Sequence, residues 1–167
     1  HKNILKYCPN RKCSDIVQMN EKLIRAWNKK VPKTATVFHM GDFGFCSLNK
    51  MEDILDQLNG NIHIIRGNHD ADFPRDRFLT ISNYKEISVD GKLIVLCHYP
   101  FQVWNGSHRN SYNLHGHCHG TLPFDSASHR MDVGVDTHPD LEPFSMAEVE
   151  EYMSKITWSA KDHHDKG

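Results

Sequence analysis

The stretch Leu114-His115-Gly116-His117-Cys118-His119-Gly120 sets three histidines at alternate positions between small residues. On a strand end, a period of two would aim all three imidazoles to one side. The flanking glycines point instead to a loop leaving a strand, where neighbouring rings splay toward different targets. Either geometry gathers metal-binding nitrogen at one point. Three further polar turns follow apolar runs: Gly41-Asp42-Phe43-Gly44, Gly67-Asn68-His69-Asp70 and His98-Tyr99-Pro100. Asp42, Asn68, His98, His117 and His119 therefore combine carboxylate and amide oxygens with imidazoles. That mixture suits Mn, Fe, Co or Zn rather than calcium, which prefers oxygen alone. A carboxylate has two oxygens, so Asp42 can bridge two ions and make the site dinuclear. Singly, each piece has an ordinary explanation, such as turn chemistry for Gly-Asp or local hydrogen bonding for an asparagine.

These turns need elements to position them. From Ser14, a good N-cap, the residues Ile16, Met19, Leu23, Trp27 and Val31 recur at helical steps, which predicts a helix ending before Pro32. Residues 35–40 and 61–65 are short apolar runs and predict buried strands, each running into one of the polar turns. Between them Ser47 can cap a second helix, with Met51, Ile54, Leu55 and Leu58 inward and Gly60 at its stop. Repeated strand, loop and helix units imply parallel pairing, with ligands at the carboxyl ends of the strands. Residues 84–89 and 92–97 read as strands joined by Asp90-Gly91, a strong hairpin signal. A long polar connection over 101–113 leads to the histidine stretch, and residues 131–135 read as a last strand beside Asp132 and Asp136. Ser145-Met146-Ala147-Glu148 has the form of a capping box. Residues 159–167 read as a frayed polar tail, and His163-His164 within it as solvated bystanders.

Composition narrows the class. The chain has 167 residues, 38% of them hydrophobic and 25% charged, with a formal charge of −1. That balance gives no basic excess for an obligate nucleic-acid or anionic-membrane partner. The five cysteines, odd in number and without a Cys-x-x-Cys pair, are expected as reduced thiols in a cytoplasmic protein. No apolar run approaches the ~20 residues that span a bilayer. Histidine, at 13 residues, is the departure that asks for a reason.

In order along the chain, Gly41-Asp42, Gly67-Asn68-His69-Asp70, His98 and Gly116-His117-Cys118-His119 resemble the motifs of the calcineurin-like metallophosphoesterase family. The length and compact loops are most similar to its small single-domain bacterial and phage members. The resemblance implies an α/β fold: a four-layer α/β/β/α sandwich of two mixed sheets flanked by helices, in one domain over residues 1–167. It implies two divalent metal ions, drawn from Mn, Fe, Ni, Co and Zn. Asp42 would bridge them, Asn68, His98 and His117 would complete one shell, and His119 would serve the other ion. His69 would be the catalytic group, and Asp70 would orient it through the far ring nitrogen. The implied reaction is hydrolysis of a phosphomonoester or phosphodiester, by in-line attack of a hydroxide bridging the ions. The family's opening Asp-x-His motif, at the end of a first strand, has no counterpart here. His1-Lys2-Asn3-Ile4 resembles the segment just after it. A strand carrying two further ligands of the His119 ion is therefore expected ahead of His1.

Other residues are weaker candidates. Arg66 could touch substrate phosphate, although pairing with an acid is the more ordinary role. Trp104, Asn105, His108 and Arg109 lie in the long loop, and Trp104 with Arg109 could form a stacking and charge platform for a nucleotide-like substrate. The ordinary reading is that Trp104 pins the loop to the core. For His39, His115 and His138 a packing role leads. Two rivals stand beside the enzyme reading. One is a non-catalytic interaction scaffold of the same fold, against which the retained His69 argues. The other is a structural zinc protein closed through Cys118 and nearby histidines.

Overall fold

The computed structural model describes residues 3–159. Its scaffold is two sheets. Strands β1 (Thr36–His39), β2 (Asn61–Ile65) and β3 (Ile81–Ser82) pair in parallel in the order β1-β2-β3. Strands β4 (Tyr84–Val89), β5 (Lys92–Cys97), β6 (Tyr112–His115) and β7 (Arg130–Asp132) form the second sheet in that order. The mixed pairing lies in this second sheet: β4 and β5 are antiparallel, while β5, β6 and β7 are parallel.

Alternation along β2 shows how the layers stack. Ile62 and Ile64 face a cluster formed with Trp27, Val31, Met51 and Leu55. Those residues come from α2 (Ile16–Lys30), its C-cap and α3 (Leu48–Leu55), so helices cover that face. Ile65 faces the opposite way, into a second cluster with Met40, Ile94, Leu96 and Leu114, so the two sheets share a core. Both Ile64 and Ile65 are fully buried, each worth about 1.5–3 kcal/mol of transfer free energy. Val149 and Met153 of α4 (Met146–Met153) join the shared cluster. The architecture is thus two sheets flanked by helices, as the sequence implied.

Local details follow from chemistry. Asp90 and Gly91 both have positive φ, 49° and 79°, the backbone of a turn that matches strand twist in a two-residue hairpin. Helix α2 is capped one residue later than expected: Asp15 Oδ1, not Ser14, accepts from the Gln18 amide at 2.9 Å. Carboxylates suit a helix start better than hydroxyls because they also meet the positive end of the dipole. The predicted box at α4 is formed, with Ser145 and Glu148 each capping the other's backbone amide. Ser47 sits at the start of α3 but makes no side-chain cap bond. One strand was not read from the sequence: β3, which has only two residues. The strand expected to end in the histidine stretch is β6, and it begins at Tyr112, inside the stretch read as the connection 101–113. A short helix, α1 (Ile4–Tyr7), also went unread.

Candidate metal centre

The strand ends β1, β2 and β5 meet at a point where only glycine fits. Gly41 has φ of 93°, and a Cβ there would lie 2.7 Å from both Ile65 O and His98 Nδ1. The chain then enters Asp42 in the left-handed region, with φ of 55°. His117 (φ 66°) and His119 (φ 48°) share that conformation, which is costly for residues other than glycine and collects at functional sites.

One carboxylate holds the turns together. Asp70, 2% exposed, accepts from the amides of Asp42 (2.8 Å), Phe43 (2.9 Å) and Gly67 (2.9 Å). Hydrogen bonds to a charged acceptor contribute roughly 1.5–3 kcal/mol each, and here three of them fasten the β1 turn to the β2 turn. Asp70 was expected to orient His69, but its side-chain bonds in the structure run to backbone amides and not to the His69 ring. His69 instead donates its own backbone N–H to Asp42 Oδ1 at 2.9 Å. Its ring rests on Phe45 at a centroid distance of 4.4 Å.

Asp42 Oδ2 lies 3.4 Å from His98 Nε2, and Asn68 Oδ1 lies 3.1 Å from the same nitrogen. The other ring nitrogen, Nδ1, donates to Met40 O at 2.6 Å, since a carbonyl can only accept. With Nδ1 carrying hydrogen, a neutral His98 turns the Nε2 lone pair toward two oxygen lone pairs. A proton on Nε2 is one way to reconcile the three. Burial opposes that proton, but Asp42 and the Met40 carbonyl outweigh it, so His98 titrates above its ordinary value. Burial likewise opposes charge on Asp42, and His98 with the His69 amide overcomes it, holding the carboxyl below its usual range. A divalent cation is the other way to reconcile the lone pairs, and the donors fit one. Asp42, His98 and His117 offer ligand atoms all within 4.8 Å of one another. For His117, burial and then the neighbouring His98 favour the neutral imidazole, the form that binds metal.

His119 stands on the other side. Its Nδ1 donates to Asp136 Oδ2 at 2.7 Å, and Asp136 is gripped by Arg11 through Nε (2.7 Å) and Nη2 (2.8 Å). Cys8, His119 and Asp136 form a second group with metal-ligand spacing. Within it the Cys8 thiol is pushed up to about 11, by burial and then by the charge of Asp136. Asp136, Arg11 and Cys8 were not read as site residues from the sequence. Only its position after the strand expected over 131–135 hinted at Asp136; β7 in fact ends at Asp132, and Asp136 stands in a 3-10 turn over Val135–Thr137. All of Asp42, His98, His117, His119 and Asp136 line one cavity of about 810 Å³. Its other walls are largely apolar, among them Leu23, Ile24, Val37, Ile94, Leu96 and Val149. Residues 36–40 run along it, and β1 has no strand partner on that side among the described residues.

The weaker candidates fall elsewhere. β5 and β6 are parallel, so the loop between them must return roughly 15 Å to the start of the sheet. Lys92, at the beginning of β5, reaches Asn110 O, and Gly106 packs near Leu93. Trp104, Asn105 and Arg109 are therefore carried away from the His98 end. Trp104 is buried and donates to Ser111 Oγ at 2.9 Å, pinning the loop. Asn105 donates to Glu86, and Arg109 is exposed. The proposed stacking platform does not form. Arg66 donates to Asp70 O at 3.2 Å and lies over the Phe73 ring, pairing with no acid among the described residues. His39 accepts from the Gly41 amide, and His115, nearly fully buried, bonds Gly116 O. His138 bonds the Glu148 carboxylate through Nε2 and accepts at Nδ1 from the amides of Asp140 and Glu142. Cys118 belongs to none of the groups with metal-ligand spacing among the described residues, which removes the ligand set a closed zinc site would need.

This combination of a two-sheet sandwich with strand-end aspartate, asparagine and histidines defines a class, that of the metal-dependent phosphoesterases. The chain belongs to the calcineurin-like phosphoesterase superfamily, whose domain model matches residues 13–134. It is similar to an uncharacterized protein of Methanocaldococcus jannaschii, 35% identical over 122 residues that make up 71% of this chain and 63% of that protein. The chain thus spans under two-thirds of that relative's length. A protein of unknown function from Aquifex aeolicus has the same fold, with a TM-score of 0.66 over 90% of this chain and 91% of its own, at 22% identity. No helix among the described residues is long and apolar enough to cross a membrane.

Proposed function

We propose that the protein hydrolyses a phosphomonoester or phosphodiester, nucleotide-like substrates included, using two divalent ions held between Asp42 and the neighbouring turns. The observation that carries this reading is the convergence of Asp42 Oδ2, Asn68 Oδ1 and the His98 Nε2 lone pair on one point, with His117 beside them. Asp42, Asn68, His98 and His117 would hold one ion, and His119 would contribute to the other. Bound ions of this kind, Mn, Fe, Ni, Co or Zn, neutralise phosphate oxygens and lower the pKa of water. The chain's own residues do the rest. The His98 Nδ1 bond to Met40 O fixes that ring, and the three amide bonds of Asp70 keep Asp42 and Asn68 in register. His69, which is exposed, would donate a proton to the leaving oxygen.

The test is metal content and turnover of an aryl phosphodiester. Asp42→Asn is expected to deplete bound metal and abolish hydrolysis. His69→Ala is expected to keep its metal and lose about 10²–10⁴ in kcat. Full turnover by Asp42→Asn with no bound metal would overturn the reading.

A further inference from the structure

The pair Arg11 and Asp136 has no part in the set Asp42, Asn68, His98 and His117, yet it is among the most tightly bonded groups of the molecule. Asp136 has a side chain 3% exposed, and that of Arg11 is 9% exposed. Arg11 spans the carboxylate with two bonds, and Oδ2 also receives His119 Nδ1. The backbone is tied at the same place, because Asn10 Nδ2 donates to Asp136 O at 2.7 Å. A 3-10 turn over Pro9–Arg11 is thereby fastened to one over Val135–Thr137.

His119 is the ring that most needs such a partner. It stands in a left-handed conformation and its side chain is 43% exposed, so packing alone does not select its rotamer. A carboxylate only accepts, so its bond to Nδ1 selects the tautomer with hydrogen on Nδ1 and leaves the Nε2 lone pair free to ligate. We propose that Asp136, locked by Arg11, is the positioning residue for His119, fixing the ring and tautomer with which it meets the second ion. The two Arg11 bonds keep the carboxylate from swinging away to ligate metal itself. Cys8, the third member of that group, is then a packed thiol and not a ligand. The proposal rests on the two-ion reading and adds the residues that make its second half competent.

The experiment uses the full-length protein with and without metal. Without metal, imaging of the His119 ring by imidazole-selective NMR should show hydrogen on Nδ1 in the native protein and a mixed tautomer in Asp136→Asn and Arg11→Ala. Calorimetric titration with Mn should show, in both variants, one ion held as in the native protein and the other weakened about 10–100-fold. Arg11→Lys should restore part of that loss, and Cys8→Ser should change neither affinity. A native tautomer with both affinities within twofold in Asp136→Asn overturns the proposal, as does loss of the same ion in Cys8→Ser. If the native protein takes up fewer than two ions, the two-ion reading fails, and the tautomer comparison alone decides whether Asp136 positions His119.

Discussion

On the Asp42 side of the centre, three strand ends converge and one buried carboxylate, Asp70, clamps the backbones after β1 and β2 directly. On the other side a single half-exposed ring is held through a chain of side chains, His119 to Asp136 to Arg11, with the last link 125 residues away in sequence. The first arrangement is built into the sheet and moves only if the sheet does. The second depends on a long-range tether that local unfolding of the N-terminal segment can release. The two halves should therefore differ in what breaks them.

The largest effect is expected for Asp70→Ala, which leaves three amides without their acceptor at about 1–3 kcal/mol each. Urea unfolding should show a loss of at least ~3 kcal/mol, together with loss of the ion on the Asp42 side. If only the His119 ion is lost, the division between the halves is wrong. Gly67→Ala comes next. A Cβ there would press on the Asp42 amide nitrogen at 2.6 Å and on its carboxylate, so the turns must part, at a cost of about 1–3 kcal/mol. Metal binding should again fail on the Asp42 side first, as read by titration.

Smaller effects come from residues remote from both halves. Glu148 is held below its usual range by Lys30 and then by the Ser145 hydroxyl and amide. Its folded pKa lies below the unfolded one, so the stabilisation is complete above about pH 4.3 and fades as pH falls beneath it. The side chain is partly exposed and Lys30 is screened by water, so the contribution is about 1 kcal/mol or less. Glu148→Gln should flatten the acid limb of unfolding midpoint against pH below about 4.3 without altering metal uptake. Arg109→Ala should be the quietest, within about 0.5 kcal/mol of the native protein and with unchanged turnover. A marked rise in KM there would return the long loop to the site.

What the sequence made legible was mostly local. The hairpin 84–97 and the α4 capping box announce themselves because their signals, Asp90-Gly91 and Ser-x-x-Glu, act within a few residues. Asp42, His98 and His117 are brought together as their strand-end positions suggested. The misplacement of Trp104 and Arg109 has a topological cause. Sequence order does not say that β6 pairs parallel to β5, and that pairing alone sends the loop to the far end. Arg11 was illegible because its partner stands at position 136 and nothing near either residue encodes the meeting. Asp70 beside His69 invited the shortest pairing, whereas the fold offers it three backbone amides, which together outweigh one side chain.

The left-handed backbones of Asp42, His117 and His119 carry a consequence for anyone engineering this protein. Such conformations cost of order 1–3 kcal/mol at a residue that has a Cβ, and glycine occupies them freely. His117→Gly should therefore raise the melting temperature of the metal-free protein while removing a ligand, so screens for heat resistance run without metal will select against the centre itself.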